Sequence, residues 1–246
     1  MASTGPATRL AELQREAAAC NACPLHEGRT NSVFGAGSSR ARLMFVGEAP
    51  GYHEDRLGEP FVGQAGKLLD KLLASIGLKR GDVYIANVLK CRPPNNRDPQ
   101  TAEIEKCRGF LEQQIGLISP AIVCTLGNFS TRLLSGQPHG ISRVHGRPQA
   151  MPGSDIRLYP VYHPAAALYT PANLKVLEED FIRLAGILEA NHKAKVEPSP
   201  KVDVAPAANH QVAVESTDGE AAAGGDGTGT APAGEGMPGG EQLGLF

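Results

Sequence analysis

Cys20 and Cys23 form a C-x-x-C pair, and Cys91 and Cys107 a wider pair with fifteen residues between them. Thiolates at C-x-x-C spacing chelate one metal centre, and an all-sulfur set of four serves zinc or an iron–sulfur cluster. A redox dithiol, or plain burial, would use the same residues. The fifth cysteine, Cys124, lies inside Ile122-Val123-Cys124-Thr125-Leu126, where a thiol packs as a small hydrophobe. Met1 to Leu10 has no basic segment followed by an apolar one, so no secretory leader is expected. Without export, grouped cysteines point to metal binding or catalysis rather than to a disulfide framework.

A second set of residues could act on a ligand. Gly47-Glu48-Ala49-Pro50-Gly51 follows a short apolar run. Its glycines allow a backbone to approach a ligand closely, Pro50 stiffens the turn, and Glu48 is its one carboxylate. Phe61 sits among loop breakers in Gly58-Glu59-Pro60-Phe61-Val62-Gly63. Asn87 closes another apolar run, and its carboxamide offers both a donor and an acceptor, enough to read the edge of a pyrimidine. His163-Pro164 closes a further run, where an imidazole could hydrogen-bond or donate to a leaving group. Arg92, Arg97 and Arg108, then Arg132, Arg143, His145 and Arg147, flank the same places and suit phosphate contacts or a solvated basic face. Taken singly these are ordinary: a core Phe, a turn Asn, a capping His. Their shared position at the ends of apolar runs sets them apart.

Those runs must be strands for the residues to meet. Leu43 to Val46, Val83 to Val88, Ala121 to Leu126 and Arg157 to Tyr162 read as buried strands. Helical spacing covers Arg9 to Cys20, Gln64 to Ile76 and Leu174 to Leu188, with a short helix after Gly127. A further helix runs to about Ile118, with Asp98 as its cap and Pro99 in its first turn. Strands alternating with helices predict an α/β fold: a three-layer sandwich whose mainly parallel four-stranded sheet is covered by helices on both faces. In such sheets the site lies beyond the carboxyl ends of the strands.

The charge is divided unevenly. From Asn191 onward three lysines face eight acids, a net −5, which leaves +3 on the preceding residues out of a total of −2. A mildly basic body permits a nucleic-acid partner without identifying one. No run approaches the roughly 18 apolar residues of a membrane span. Residues 192–241 are rich in Ala, Gly, Pro and acids, a composition that predicts disorder. The expected organisation is a body over 1–191, that tail, and an abruptly apolar pentapeptide over 242–246.

Taken together, Cys20-x-x-Cys23, Gly47-Glu48-Ala49-Pro50-Gly51, Gly58 to Gly63, Asn87-Val88-Leu89-Lys90-Cys91-Arg92-Pro93-Pro94, Cys107 and His163-Pro164-Ala165-Ala166 resemble the family-four uracil-DNA glycosylases, the iron–sulfur branch of their superfamily. The resemblance runs from about Cys20 to Leu188. It implies a repair enzyme that hydrolyses the N-glycosidic bond of uracil in DNA and leaves an abasic site. It also implies a [4Fe–4S] cluster on Cys20, Cys23, Cys91 and Cys107, structural in role. Phe61 would stack on the flipped base and Asn87 read its polar edge, with Gly47, Ala49 and Gly51 lining the pocket. His163 would stabilise the departing anion. Glu48, assisted by Asn96, would position the water.

Two positions depart from the best-known superfamily members. Ala49 stands where they carry Asp, and Gly51 where they carry the Tyr that screens out thymine. Leu168 is the candidate wedge into the duplex. The loop Pro93 to Asp98 lacks the basic, His-containing insertion of relatives that trap their product covalently, so turnover is expected. Other readings are a glycosylase for another deaminated base, such as hypoxanthine, and a non-catalytic nucleic-acid-binding module with a four-cysteine zinc site. Gln242-Leu243-Gly244-Leu245-Phe246 resembles the pentapeptide that binds the bacterial sliding clamp. The expected setting is a monomer in the cytoplasm, at the nucleoid, with no membrane partner.

Overall fold

Strands that are apolar at nearly every position need cover on both faces, and the chain supplies it. The computed structural model describes residues 5–196. In chain order its helices and strands are α1 (Pro6–Ala19), α2 (Leu25–Gly28), β1 (Ala36–Gly37), β2 (Leu43–Gly47), α3 (Tyr52–Leu57), α4 (Gln64–Ser75), β3 (Tyr84–Asn87), α5 (Thr101–Ile118), β4 (Ile122–Leu126), α6 (Asn128–Ser135), α7 (Ile141–Val144), β5 (Gln149–Ala150), β6 (Arg157–Val161), α8 (Pro164–Leu168) and α9 (Pro171–Val196). Short 3-10 turns lie at Arg80–Asp82 and Pro94–Asn96.

The sheet runs in the order β1-β3-β2-β4-β6-β5. β3, β2, β4 and β6 pair in parallel, while β1 and β5 add antiparallel edges. The α/β class holds, but the sheet is mixed and six-stranded rather than four-stranded. The two edge strands are two residues each, too short to leave a period in the sequence.

Along each inner strand, side chains alternate between two cores. Met44, Val46, Ala86, Val123 and Leu158 join Leu13 and Ala17 of α1 and Leu111 and Ile115 of α5. Leu43, Phe45, Ile85, Cys124 and Tyr159 join Leu69 and Leu73 of α4 and Leu177, Phe181 and Leu184 of α9. Fully burying one such Leu or Phe contributes about 1.5–3 kcal/mol. Cys124 is one of these packed residues, sealed between Phe45 and Tyr159 on the neighbouring strands.

Two helix boundaries differ from the sequence reading. α5 begins at Thr101, not at Asp98-Pro99. Glu103 reaches back to accept the Gln100 N–H at 2.9 Å, so the cap forms two residues later. Arg97 also grips the Glu103 carboxylate with both guanidinium nitrogens, at 3.0 and 2.6 Å. α9 starts at Pro171 and continues to Val196, into the stretch read as the start of the tail. The rest of that tail and the pentapeptide 242–246 lie outside the described residues. Among the described residues no helix is long and apolar enough to cross a membrane.

Candidate functional site

Parallel pairing places the carboxyl ends of β3, β2, β4 and β6 in a row, and the candidate residues sit on those ends. Gly47 is paired with Asn87 across β2 and β3. Gly127 follows β4, and His163 follows β6 after one intervening residue. A Cβ on Gly47 would come within 2.3 Å of Asn87 Oδ1 and 2.7 Å of the Phe61 ring, so only glycine lets the three meet. The Phe61 and His163 rings face one another at 5.6 Å between centroids, inclined by 30°.

Phe61 is held in a conformation that non-glycine residues avoid, with φ at 55°, which costs about 1–3 kcal/mol. Several contacts impose it. Arg80 donates to the Phe61 carbonyl at 3.1 Å, to the Pro60 carbonyl, and to Asp70 at 2.8 Å. Glu54 Oε1 accepts the Val62 and Gly63 N–H groups, each at 3.0 Å. Gly66 leaves room for the Phe61 carbonyl, which a Cβ there would meet at 1.7 Å.

Asn87 is 2% exposed, yet its Oδ1 has no hydrogen-bond partner within the protein. A buried acceptor left unpaired costs about 1–3 kcal/mol, which a ligand N–H would recover. The main chain of Asn87 is fixed from below. Lys90, 1% exposed, donates from Nζ to the Asn87 carbonyl at 2.7 Å and to Gln114 Oε1 at 2.6 Å. Gln114 in turn donates to the Phe34 carbonyl and the Tyr84 hydroxyl. Burial pulls the Lys90 ammonium down to about 8.

His163 caps α8. Its Nδ1 accepts the Ala165 N–H at 3.1 Å, so the neutral ring carries its proton on Nε2. Burial pulls its pKa down to about 4, against a smaller opposing effect of the Glu54 charge. The imidazole is therefore a neutral donor at physiological pH. Glu48 is half-buried, and burial, with the Asp98 charge adding to it, pushes its carboxyl up to about 7.

The other expected site residues fall around this group. Ala49 packs on the first core and Gly51 borders Glu54. Leu168 ends α8 and is 41% exposed, beside the more exposed Tyr169. Asn96 is exposed, and its Oδ1 takes the Arg92 Nε–H at 2.7 Å. That bond turns the carboxamide oxygen toward Arg92, while its neighbour Asp98 is the loop residue whose charge acts on Glu48.

Cys20, Cys23, Cys91 and Cys107 all line one cavity, together with Ala17, Arg29, Lys90 and Phe110. Cys20 ends α1, Cys91 follows β3 and Cys107 lies in α5. Arg29 Nη1 donates to Cys91 Sγ and the Lys90 backbone N–H to Cys107 Sγ, each at 3.3 Å. Among the described residues no three His, Cys, Asp or Glu side chains converge on one point closely enough to hold a single ion.

Sequence reasoning missed Glu54, Gly127, Arg80 and Lys90. Gly127 has φ at 90°, and a Cβ there would crowd His163 Cβ at 3.2 Å. Glu54 had one visible signal, its place three residues after Gly51 at the opening of a helix.

A family model described as the uracil DNA glycosylase superfamily matches residues 34–185. The type-4 uracil-DNA glycosylase of Archaeoglobus fulgidus is 47% identical over 181 residues, which cover 71% of this chain and 91% of that protein. The type-4 enzyme of Saccharolobus solfataricus is 48% identical over 178 residues, 70% of this chain and 82% of the relative. That of Thermotoga maritima is 45% identical over 155 residues, 63% and 80% of the two chains.

Proposed function

The chain belongs to the uracil DNA glycosylase superfamily, and on that premise we propose that its pocket receives a uracil flipped out of DNA and hydrolyses its N-glycosidic bond. The observation that carries this reading is the unpartnered Oδ1 of buried Asn87. Uracil presents an N3–H donor beside an O4 acceptor, which match the carboxamide's Oδ1 and NH2. Cytosine presents a bare N3 and an amino group, so each contact would be reversed. A site built to hydrogen-bond one edge rejects the mismatched one strongly.

Phe61 stacks on the base, which must leave the helix at a cost of about a few kcal/mol. As the glycosidic bond lengthens, the sugar becomes oxocarbenium-like and the uracil gains negative charge. The neutral His163 Nε2–H donates to that charge at the O2 carbonyl, a contact stronger in the transition state than in the ground state. Glu48 holds the water that attacks the anomeric carbon. Leu168, exposed at the end of α8, is the wedge that fills the gap in the stack. Asn96 acts through Arg92 rather than on the water directly.

Glu48 must be ionised to orient the water. The rate is therefore expected to rise as pH climbs through about 7, the value to which burial raises this carboxyl. Single-turnover rates against pH should lose that rise in Glu48→Gln, with a smaller drop in rate than His163→Ala gives.

Glu54 supplies the thymine screen that Gly51 lacks. A Cβ built on Gly51 falls 2.8 Å from Glu54 Oε2, so the carboxylate fills the space a larger side chain would take. The test is an oligonucleotide panel carrying uracil, cytosine, thymine or hypoxanthine, with alkali to cut abasic sites. Wild type should cut only at uracil. Glu54→Gly should lose uracil rate through Phe61 but narrow the uracil-to-thymine ratio by about 10–200-fold, the worth of one methyl in a pocket. Equal or greater cutting at cytosine by wild type would refute the Asn87 reading, whereas cutting at hypoxanthine, whose N1–H and O6 repeat the same edge, would overturn only the restriction to uracil.

The donor set fits a [4Fe–4S] cluster on Cys20, Cys23, Cys91 and Cys107. Four thiols line one cavity, and a set of four cysteines is what a cluster of this type takes. Bound there, the cluster supplies a rigid cross-link between the end of α1, the loop after β3 and α5, and takes no part in hydrolysis. We also infer that residues 242–246 tether the enzyme, a monomer at the nucleoid, to the sliding clamp. Deleting Gln242 to Phe246 should abolish clamp binding in calorimetry and leave cleavage of short oligonucleotides unchanged. Unaltered clamp affinity would end that inference.

A further inference from the structure

Tyr52 opens α3 directly after Gly51, and it is 48% exposed although aromatic. Two guanidinium groups lie close to its ring, Arg92 at 5.2 Å and Arg56 at 5.7 Å from the centroid. Arg56 Nη1 also donates to the Tyr52 hydroxyl at 3.1 Å. Arg92 is fixed in turn by its 2.7 Å bond to Asn96. Asn96 and Asn95 both hold left-handed backbone, at φ 54°, a conformation bulky side chains avoid. The patch adjoins the base pocket. His53, edge-on to Tyr52 at 5.4 Å, lies against Gly63, and Glu54 of the same helix lies against Gly51.

We propose that Tyr52, with Arg92 and Arg56 beside it at the pocket rim, is a stacking platform for the base of a nucleotide adjoining the uracil in unpaired DNA. The proposal rests on the uracil-DNA reading above and adds the strand contact beside it. An exposed ring and flat guanidinium planes present π-faces, which accept any base without reading its edge. The cations also face the phosphates that flank such a base. A nucleotide still paired in a duplex keeps its faces covered, so the platform favours single-stranded or locally opened DNA.

The test uses the full chain and fluorescence anisotropy on a short single strand. The strand carries 2′-fluoro-deoxyuridine, which resists cleavage because fluorine destabilises the oxocarbenium-like sugar. Two further strands replace the 5′ or the 3′ neighbour with a tetrahydrofuran abasic unit. Wild type is expected to lose about tenfold in affinity when one of those neighbours lacks its base. Tyr52→Leu should bind the complete strand about tenfold more weakly and lose less than about twofold further on removal of that base. Tyr52→Phe should keep the wild-type dependence. Equal penalties in wild type and Tyr52→Leu at both neighbours would overturn the platform, as would a wild type indifferent to both. Uracil release from an ordinary strand is measured alongside. Its absence in wild type overturns the glycosylase reading, whereas its presence with equal penalties overturns the platform alone.

Discussion

His163→Ala is expected to lower the single-turnover rate by about two to three orders of magnitude, the usual effect of removing one oxyanion donor. Affinity for uracil DNA should change far less. The reason lies in the fixed tautomer. The Ala165 N–H occupies Nδ1, so Nε2 must be the donor, and its bond to the base tightens only as negative charge grows on the departing uracil. Lost rate without lost affinity marks a contact made mainly in the transition state. Normal cleavage at saturation combined with much weaker binding would show that His163 holds the substrate instead. The same ring links folding to pH. Unfolded, it takes a proton near pH 6.5; folded, near 4. Stability of the wild type should therefore fall as pH drops from about 6.5 to about 4, and His163→Ala should show a shallower fall.

Cys107→Ser is expected to yield protein that has lost its iron and most of its solubility, with the same outcome at Cys20, Cys23 and Cys91. These cysteines join α1, the loop after β3 and α5 around one cavity. Removing a ligand would free the three segments together. The damage should reach the pocket, because Lys90 bonds to Cys107 through its backbone and to the Asn87 carbonyl through its side chain. Cys124→Ser is the control. It places a hydroxyl in an apolar core, a loss of about 1–3 kcal/mol, yet should retain iron in full. Iron analysis and the visible absorbance band read both outcomes. Full iron retention by Cys107→Ser, or zinc in place of iron in the wild type, would overturn the cluster assignment.

Much of this site is legible in the residues, because the sheet puts chemistry where strands end. The apolar runs closing on Gly47, Asn87 and Tyr162-His163 mark the strand ends, and cysteine spacing marks the thiol cavity. What escapes the sequence depends on contacts across the fold. The αL backbone of Phe61 is imposed by Arg80, Glu54 and Gly66, none of which declares that purpose locally. Lys90 stands in a motif without a role of its own until α5 brings Gln114 to it. That the Glu54 carboxylate occupies the space beside Gly51 shows only in the folded chain. The edge strands and the start of α5 turn on two-residue pairings and a reciprocal cap, below what periodicity can resolve.

In the proposed reaction the Phe61, Asn87 and His163 pocket cuts the bond between uracil and deoxyribose and no other. Mass spectrometry of a single-uracil oligonucleotide after incubation with the full chain tests this directly. The expected result is free uracil in equal amount to strands that have lost one uracil and gained one water, with the backbone intact and thymine-only strands unchanged. A strand of unaltered mass, or backbone scission without free uracil, would contradict it.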